Sequence, residues 1–206
     1  MGLTLPIKNH STSYKLQPTK IIALGLNYFE HIAESSKIAK QMNPKKYENH
    51  HFQIPEEPYL FPKTPNVLIA HKKPIILPKI IEKYDFSEVR TDIEAELAVI
   101  IKKRCKNISE QNTLDFIYGF SCMNDVSQRN IQKGDKTGWF RGKSFDTFGP
   151  IGPQVVLLED LPHFQELEIQ SRINGSVCQK ANTNMMIVPI PKIISFISQN
   201  FTLEEG

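Results

Sequence analysis

Residues 92–101 read DIEAELAVII, and their alternation decides how the rest of the chain is read. In an extended strand side chains alternate between faces, so Glu94, Glu96, Ala98 and Ile100 share one face. Ile93, Ala95, Leu97, Val99 and Ile101 take the other. Both faces turn apolar beyond Glu96, so this strand enters a core with two carboxylates near its beginning. Two ionised acids with roots about 7 Å apart repel each other, and burial raises at least one of their pKa values. A divalent cation between them removes both problems. The alternative is a strand end at the surface, with both acids solvated or paired to lysines.

The stretch FIYGFSCMNDVSQRNIQKGDKTGWFRGKSFDTFGPIGP (116–153) adds a third acid, Asp125, after a strand-like run and before a possible short helix at 126–133. It is denser in polar residues than packing requires. Three carboxylates, Glu94, Glu96 and Asp125, make an all-oxygen donor set that suits Mg²⁺, Mn²⁺ or Ca²⁺ better than zinc.

Further out, short β-like runs dominate: 20–26, 66–71, 74–78, 94–101, 153–158 and 167–175, most bounded by Pro, Gly or Asn. Helices are expected at 28–42 and 191–201, the latter opening with proline at a favourable first-turn position. Residues 43–58 are polar and aperiodic and read as a loop or lid. Asn174–Gly175 reads as a hairpin turn without chemistry. The pattern is α+β and β-rich rather than a regular βαβ alternation. At 206 residues, 40% apolar and 23% charged, the chain fits one sizeable globular domain. A formal charge of +3 with scattered lysines gives no support to a nucleic-acid partner. No apolar run approaches a membrane span, and MGLTLPIKNHSTSYKLQ lacks a signal-peptide core, so a soluble, cytoplasmic protein is expected. Cys105, Cys122 and Cys178 are far apart and odd in number, as reduced thiols would be.

Six words occur in an order that resembles the fumarylacetoacetate hydrolase family: KIIALGLNYFEHIAES (20–35), EEPYLFPKTPNVLIA (56–70), DIEAELAVII, YGFSCMNDVSQRNIQ (118–132), FRGKSFDTFGPIGP (140–153) and INGSVCQKANTNMMI (173–187). The resemblance implies a mixed β-sandwich roll with a helical lid and few short helices, spanning 20–206 after an N-terminal segment 1–19, and usually a homodimer. It implies Mg²⁺ or Mn²⁺ on Glu94, Glu96 and Asp125, with Ca²⁺ a further possibility. It also implies a water-activating pair on the lid, His31 and Glu34. Three residues apart on a helix, these share a face, so the glutamate can orient the imidazole. Lys143 is expected to meet a substrate carboxylate or oxyanion, Gln132 to place water or enolate, and Thr183 to help line the site.

The reaction so implied is metal-dependent chemistry on small 2-oxo acids through a metal-bound enolate, with hydrolysis of the C–C bond of acylpyruvates foremost. Oxaloacetate decarboxylation and 2-hydroxyhepta-2,4-diene-1,7-dioate isomerisation share that intermediate, and a non-catalytic metal- or oxo-acid-binding relative is the other alternative. Two departures from the family pattern stand out. The lid region KIAKQMNPKKYENHH is long and basic, with His50–His51 read as solvated rather than metal-binding. The chain also stops at FTLEEG, without the family's closing segment, so residues beyond Gly206 are expected to be missing.

Overall fold

A computed structural model describes residues 2–42, 54–134 and 139–206. In chain order the elements are β1 (Leu3–Pro6), β2 (Ser13–Leu16), β3 (Ile21–Gly25), α1 (Phe29–Met42), β4 (Tyr59–Lys63), β5 (Leu68–Ala70), β6 (Thr91–Asp92), β7 (Ala95–Ile101) and β8 (Ile117–Asn124). They continue with β9 (Ser127–Gln128), α2 (Arg129–Gly134), α3 (Phe140–Lys143), β10 (Gly149–Leu157), β11 (Glu168–Ile173), β12 (Ser176–Asn182) and α4 (Ile190–Asn200), joined in places by short 3₁₀ turns. The central sheet has the order β5-β10-β8-β7; β5 runs parallel to β10 and the other pairs are antiparallel. No helix among the described residues is long and apolar enough to cross a membrane.

The alternation in β7 sorts its side chains between two cores. Leu97, Val99 and Ile101 pack with Ile117, Phe120 and the inward face of α4. That face is Ile190, Ile193, Ile194 and Ile197, the i, i+3, i+4, i+7 spacing of an amphipathic helix. Each such isoleucine contributes about 1.5–3 kcal/mol on full burial. Pro191 sits in the first turn, where its missing N–H costs nothing. Ala98 and Ile100 point the opposite way, toward Leu5 and Leu16 of the β1–β2 hairpin and Ile151 and Val155 of β10. The sheet is therefore layered between a helix and a hairpin, and Glu94 and Glu96 fall on the hairpin side.

The β-rich α+β reading holds, with three local corrections. PIILP (74–78) forms no strand; Ile75, Ile76 and Leu77 are exposed. Its apolar letters lie between prolines, which supply no ladder donor. The short helix expected at 126–133 is β9 followed by α2. The hairpin turn at Asn174–Gly175 is present, with φ of 50° and 86°, but the strand after it, β12, carries no apolar alternation and escapes a pattern reading. Its middle residues are exposed on both faces. Cys105 is buried and Cys122 and Cys178 are exposed, and none of the three is in a disulfide. His50 and His51, and most of the proposed lid loop, lie outside the described residues.

Candidate active site

The register of the sheet brings the three acids together. β7 pairs β8 with Ala95 opposite Asn124, and β6 pairs β9 with Asp92 opposite Ser127. The register is the same on both sides of a two-residue interruption, so Glu94 faces Asp125 across it. The Asp125 N–H donates to the Glu94 carbonyl at 2.9 Å, and the Glu94 N–H donates to Asn124 Oδ1 at 3.1 Å. Residues opposite each other in an antiparallel pair put their side chains on one face, about 5 Å apart at Cβ. Glu96, two residues along β7, joins the same face. Like charges so placed destabilise a sheet unless cations separate them.

Three protein cations do so. The Lys143 ammonium bridges Glu94 Oε2 and Asp125 Oδ2, the latter at 2.6 Å. Lys63 donates to Asp125 Oδ1 at 2.6 Å and to the Lys143 carbonyl. Arg129 donates to Glu94 Oε1, to Asp92 Oδ2 at 2.7 Å and to Gln132 Oε1 at 2.8 Å. The Lys63 and Lys143 side chains are almost wholly buried, at 1% and 2% exposure, and the Phe61 ring centroid lies 5.0 Å from the Lys143 ammonium. Burial opposes ionisation of Glu94, but Lys143 and Arg129 outweigh it and hold its carboxyl at about 2. At Lys63 burial outweighs the pull of Asp125 and lowers its pKa.

Glu96 is different. It has no hydrogen bond or ion pair among the described residues, and its carboxyl is pushed up to about 8, first by burial, then by Asp125 and Glu94. The residue keeps an exposed face toward the cleft. The pocket is a cleft of about 1650 Å³ running along β3 and β7, and it includes Tyr28, His31, Glu96, Gln132 and Lys143 in its wall.

His31 lies in the first turns of α1, exposed and facing this cleft. Glu34 belongs to the same helix, but its side chain lies outside the described residues. Gln132 is buried and tied to Arg129. Thr183 does not line the cleft: its hydroxyl donates to the Phe164 carbonyl and accepts from the Leu167 N–H, both within 2.9 Å. Its role here is to tie the turn before β11 to the end of β12, which corrects the expected contribution to the site. Lys63 and Arg129 were not singled out from the sequence. The alternation of YLFPK does carry a signal, because it buries Phe61 and Lys63 together.

A cation fits these donors in chemistry, but not in their present arrangement. All are hard oxygen ligands on one face, and among the described residues Glu96 makes no hydrogen bond or ion pair. Yet among the described residues no group of three acidic, histidine or cysteine side chains stands ready to hold a metal, and Lys143 lies between Glu94 and Asp125.

Lys143 reaches this place through a glycine. A Cβ on Gly142 would meet the Gln128 carbonyl at 2.8 Å and the Gln132 backbone nitrogen at 2.8 Å, so α3 packs on α2 only with hydrogen there. Gly142→Ala should move α3 outward and cost about 1–3 kcal/mol. Urea unfolding checks this, and an unchanged midpoint would show that α3 sits with room to spare.

The family model for the C-terminal domain of fumarylacetoacetate (FAA) hydrolase matches residues 20–206. An uncharacterized protein of Archaeoglobus fulgidus is 41% identical over 189 residues, covering 92% of this chain and 65% of its own. A fumarylacetoacetate hydrolase domain-containing protein 2 homolog of Dictyostelium discoideum is 36% identical, covering 98% of this chain and 62% of its own. The chain thus spans a little under two thirds of these relatives. Among solved structures, the 2-hydroxyhepta-2,4-diene-1,7-dioate isomerase of Mycobacterium marinum superposes with a TM-score of 0.71 at 30% identity, covering 95% of this chain and 67% of that one. The strand-rich fold, the paired registers and these matches agree: the chain belongs to the fumarylacetoacetate (FAA) hydrolase C-terminal family.

Proposed function

We propose that this chain is a divalent-metal-dependent enzyme of small 2-oxo acids that hydrolyses the C–C bond of acylpyruvates. The observation that carries the reading is the convergence of Glu94, Glu96 and Asp125 on one face of the cleft, with Glu96 making no hydrogen bond or ion pair among the described residues. These three carboxylates would hold Mg²⁺ or Mn²⁺. When bound, that ion supplies a Lewis acid that takes up negative charge on the 2-oxo acid as its C–C bond breaks.

The side chains around it have separable tasks. His31, assisted by Glu34, accepts a proton from water, and the resulting hydroxide adds to the distal carbonyl. The C–C bond then breaks, its electron pair passing to the pyruvate carbon, which a proton later quenches. Lys143 offsets negative charge on the substrate. Gln132, held by Arg129, orients water. Likeness to an isomerase favours a second reading, in which the same cleft shifts a proton without breaking carbon from carbon. A homodimer also belongs to the proposal. The exposed Ile75, Ile76 and Leu77 offer an apolar surface for it, and light scattering after gel filtration checks the mass.

Two measurements test the reading. A panel of acetylpyruvate, fumarylpyruvate, oxaloacetate and a hydroxyheptadienedioate, each with Mg²⁺, should show turnover strongest on an acylpyruvate; turnover of none defeats the proposal. Mn²⁺ titration should reveal one site that weakens sharply in Glu96→Ala. Equal affinity in that variant would remove Glu96 from the ligand set.

A further inference from the structure

We infer that Lys143 is a displaceable internal counter-ion, whose ammonium holds the place between Glu94 and Asp125 until a divalent cation expels it. The expelled ammonium is then free to take the substrate carboxylate, so the cation enters before the acid. The inference rests on the metal reading above and deepens it.

The argument is one of charge and anchoring. Glu94 and Asp125, with Asp92 behind Arg129, balance Lys63, Lys143 and Arg129, so the inner site is already close to neutral. A dication added to that arrangement would meet three positive groups at close range in a buried setting, where charge repulsion is poorly screened. One of the three must withdraw. Lys63 is fixed by the Lys143 and Val126 carbonyls as well as by Asp125. Arg129 is fixed by Asp92 and Gln132 as well as by Glu94. Among the described residues the Lys143 ammonium donates to the two carboxylates alone, with the Phe61 ring beside it. It alone bonds nothing that stays behind when those carboxylates turn to another cation. It also bridges both acids. Its flexible stem projects from the last residue of α3 into the wall of the cleft, where a substrate acid would lie.

The test compares Mn²⁺ affinity of the wild-type chain with Lys143→Met and Lys143→Gln, by calorimetry, beside melting of the metal-free proteins. Both variants should bind Mn²⁺ at least about tenfold tighter, because the fraction of protein in the cation-ready state rises when the competitor is gone. Their metal-free forms should melt below wild type and gain more from Mn²⁺ than wild type does. Pyruvate, as the probe acid, should bind Mn²⁺-loaded wild type well and both loaded variants poorly. Should Lys143→Met fail to fold without metal, Lys143→Gln keeps an N–H donor toward the carboxylates and carries the comparison. Unchanged or weaker Mn²⁺ binding in the variants, with Glu96→Ala still impaired, would overturn the displacement and leave the metal site standing. Absence of Mn²⁺ binding in wild type and variants alike would overturn both.

Discussion

Asp125→Ala should lower stability by about 3–5 kcal/mol, the cost of removing one partner from a buried ion pair, and should abolish turnover. Asp125 is 3% exposed, and its two oxygens each hold an ammonium at 2.6 Å, one from Lys63 and one from Lys143. Alanine leaves two buried cations with one fewer anion, and among the described residues Lys63 then keeps its hydrogen bonds to carbonyl oxygens. Asp125→Asn retains the shape and an acceptor oxygen, so it should be less destabilised while remaining inactive. The His10–Asp160 pair gives the contrast. It spans 3.4 Å between side chains 40% and 34% exposed, so Asp160→Ala should change stability by only about 0–1 kcal/mol. Urea unfolding of the three variants checks the ordering. An Asp125→Ala protein as stable as Asp160→Ala would mean that the inner cations find water or other anions at no cost, and that the buried network is not what holds this end of the sheet.

That network also marks where sequence reading stops. The shared face of Glu94 and Glu96 follows from the period of a strand, and the structure keeps it even though β7 begins only at Ala95. Asp125 was legible as a polar residue at a strand end, but its position opposite Glu94 depends on a register between segments thirty residues apart, which no local pattern encodes. Lys63 illustrates a different blindness. A lysine in a strand is ordinarily read as solvent-facing, and only its place in step with Phe61 betrays that it points inward. Arg129 was hidden for the same reason, since its guanidinium matters through Asp92, Glu94 and Gln132 together. Thr183 fails in the opposite direction. It stands in a word that resembles the family, yet its hydroxyl is consumed by backbone groups of the turn it anchors. At 74–78, apolar composition mimics a strand where prolines deny the ladder its donors and the side chains lie exposed.

His31→Ala should separate the reactions open to this cleft. Hydrolysis of an acylpyruvate needs a water deprotonated as it attacks, and loss of a general base typically costs about 10²–10⁴ in rate. Decarboxylation of oxaloacetate needs no attacking water and therefore no such base. On the proposed assignment, acetylpyruvate hydrolysis falls by that factor in kcat, while Mn²⁺ affinity and any oxaloacetate turnover stay at wild-type levels. The geometry supports a clean separation: His31 faces the cleft from α1, on a different element from β7, β8 and α3, which carry or adjoin the three acids and Lys143. Removing an exposed imidazole also leaves no buried charge behind, so the variant should unfold at the wild-type midpoint. Single-turnover assays on both substrates, run beside that unfolding control, decide the matter. Equal losses on both would place His31 in substrate binding rather than in proton transfer, and full hydrolysis without it would hand the base to another residue of the cleft.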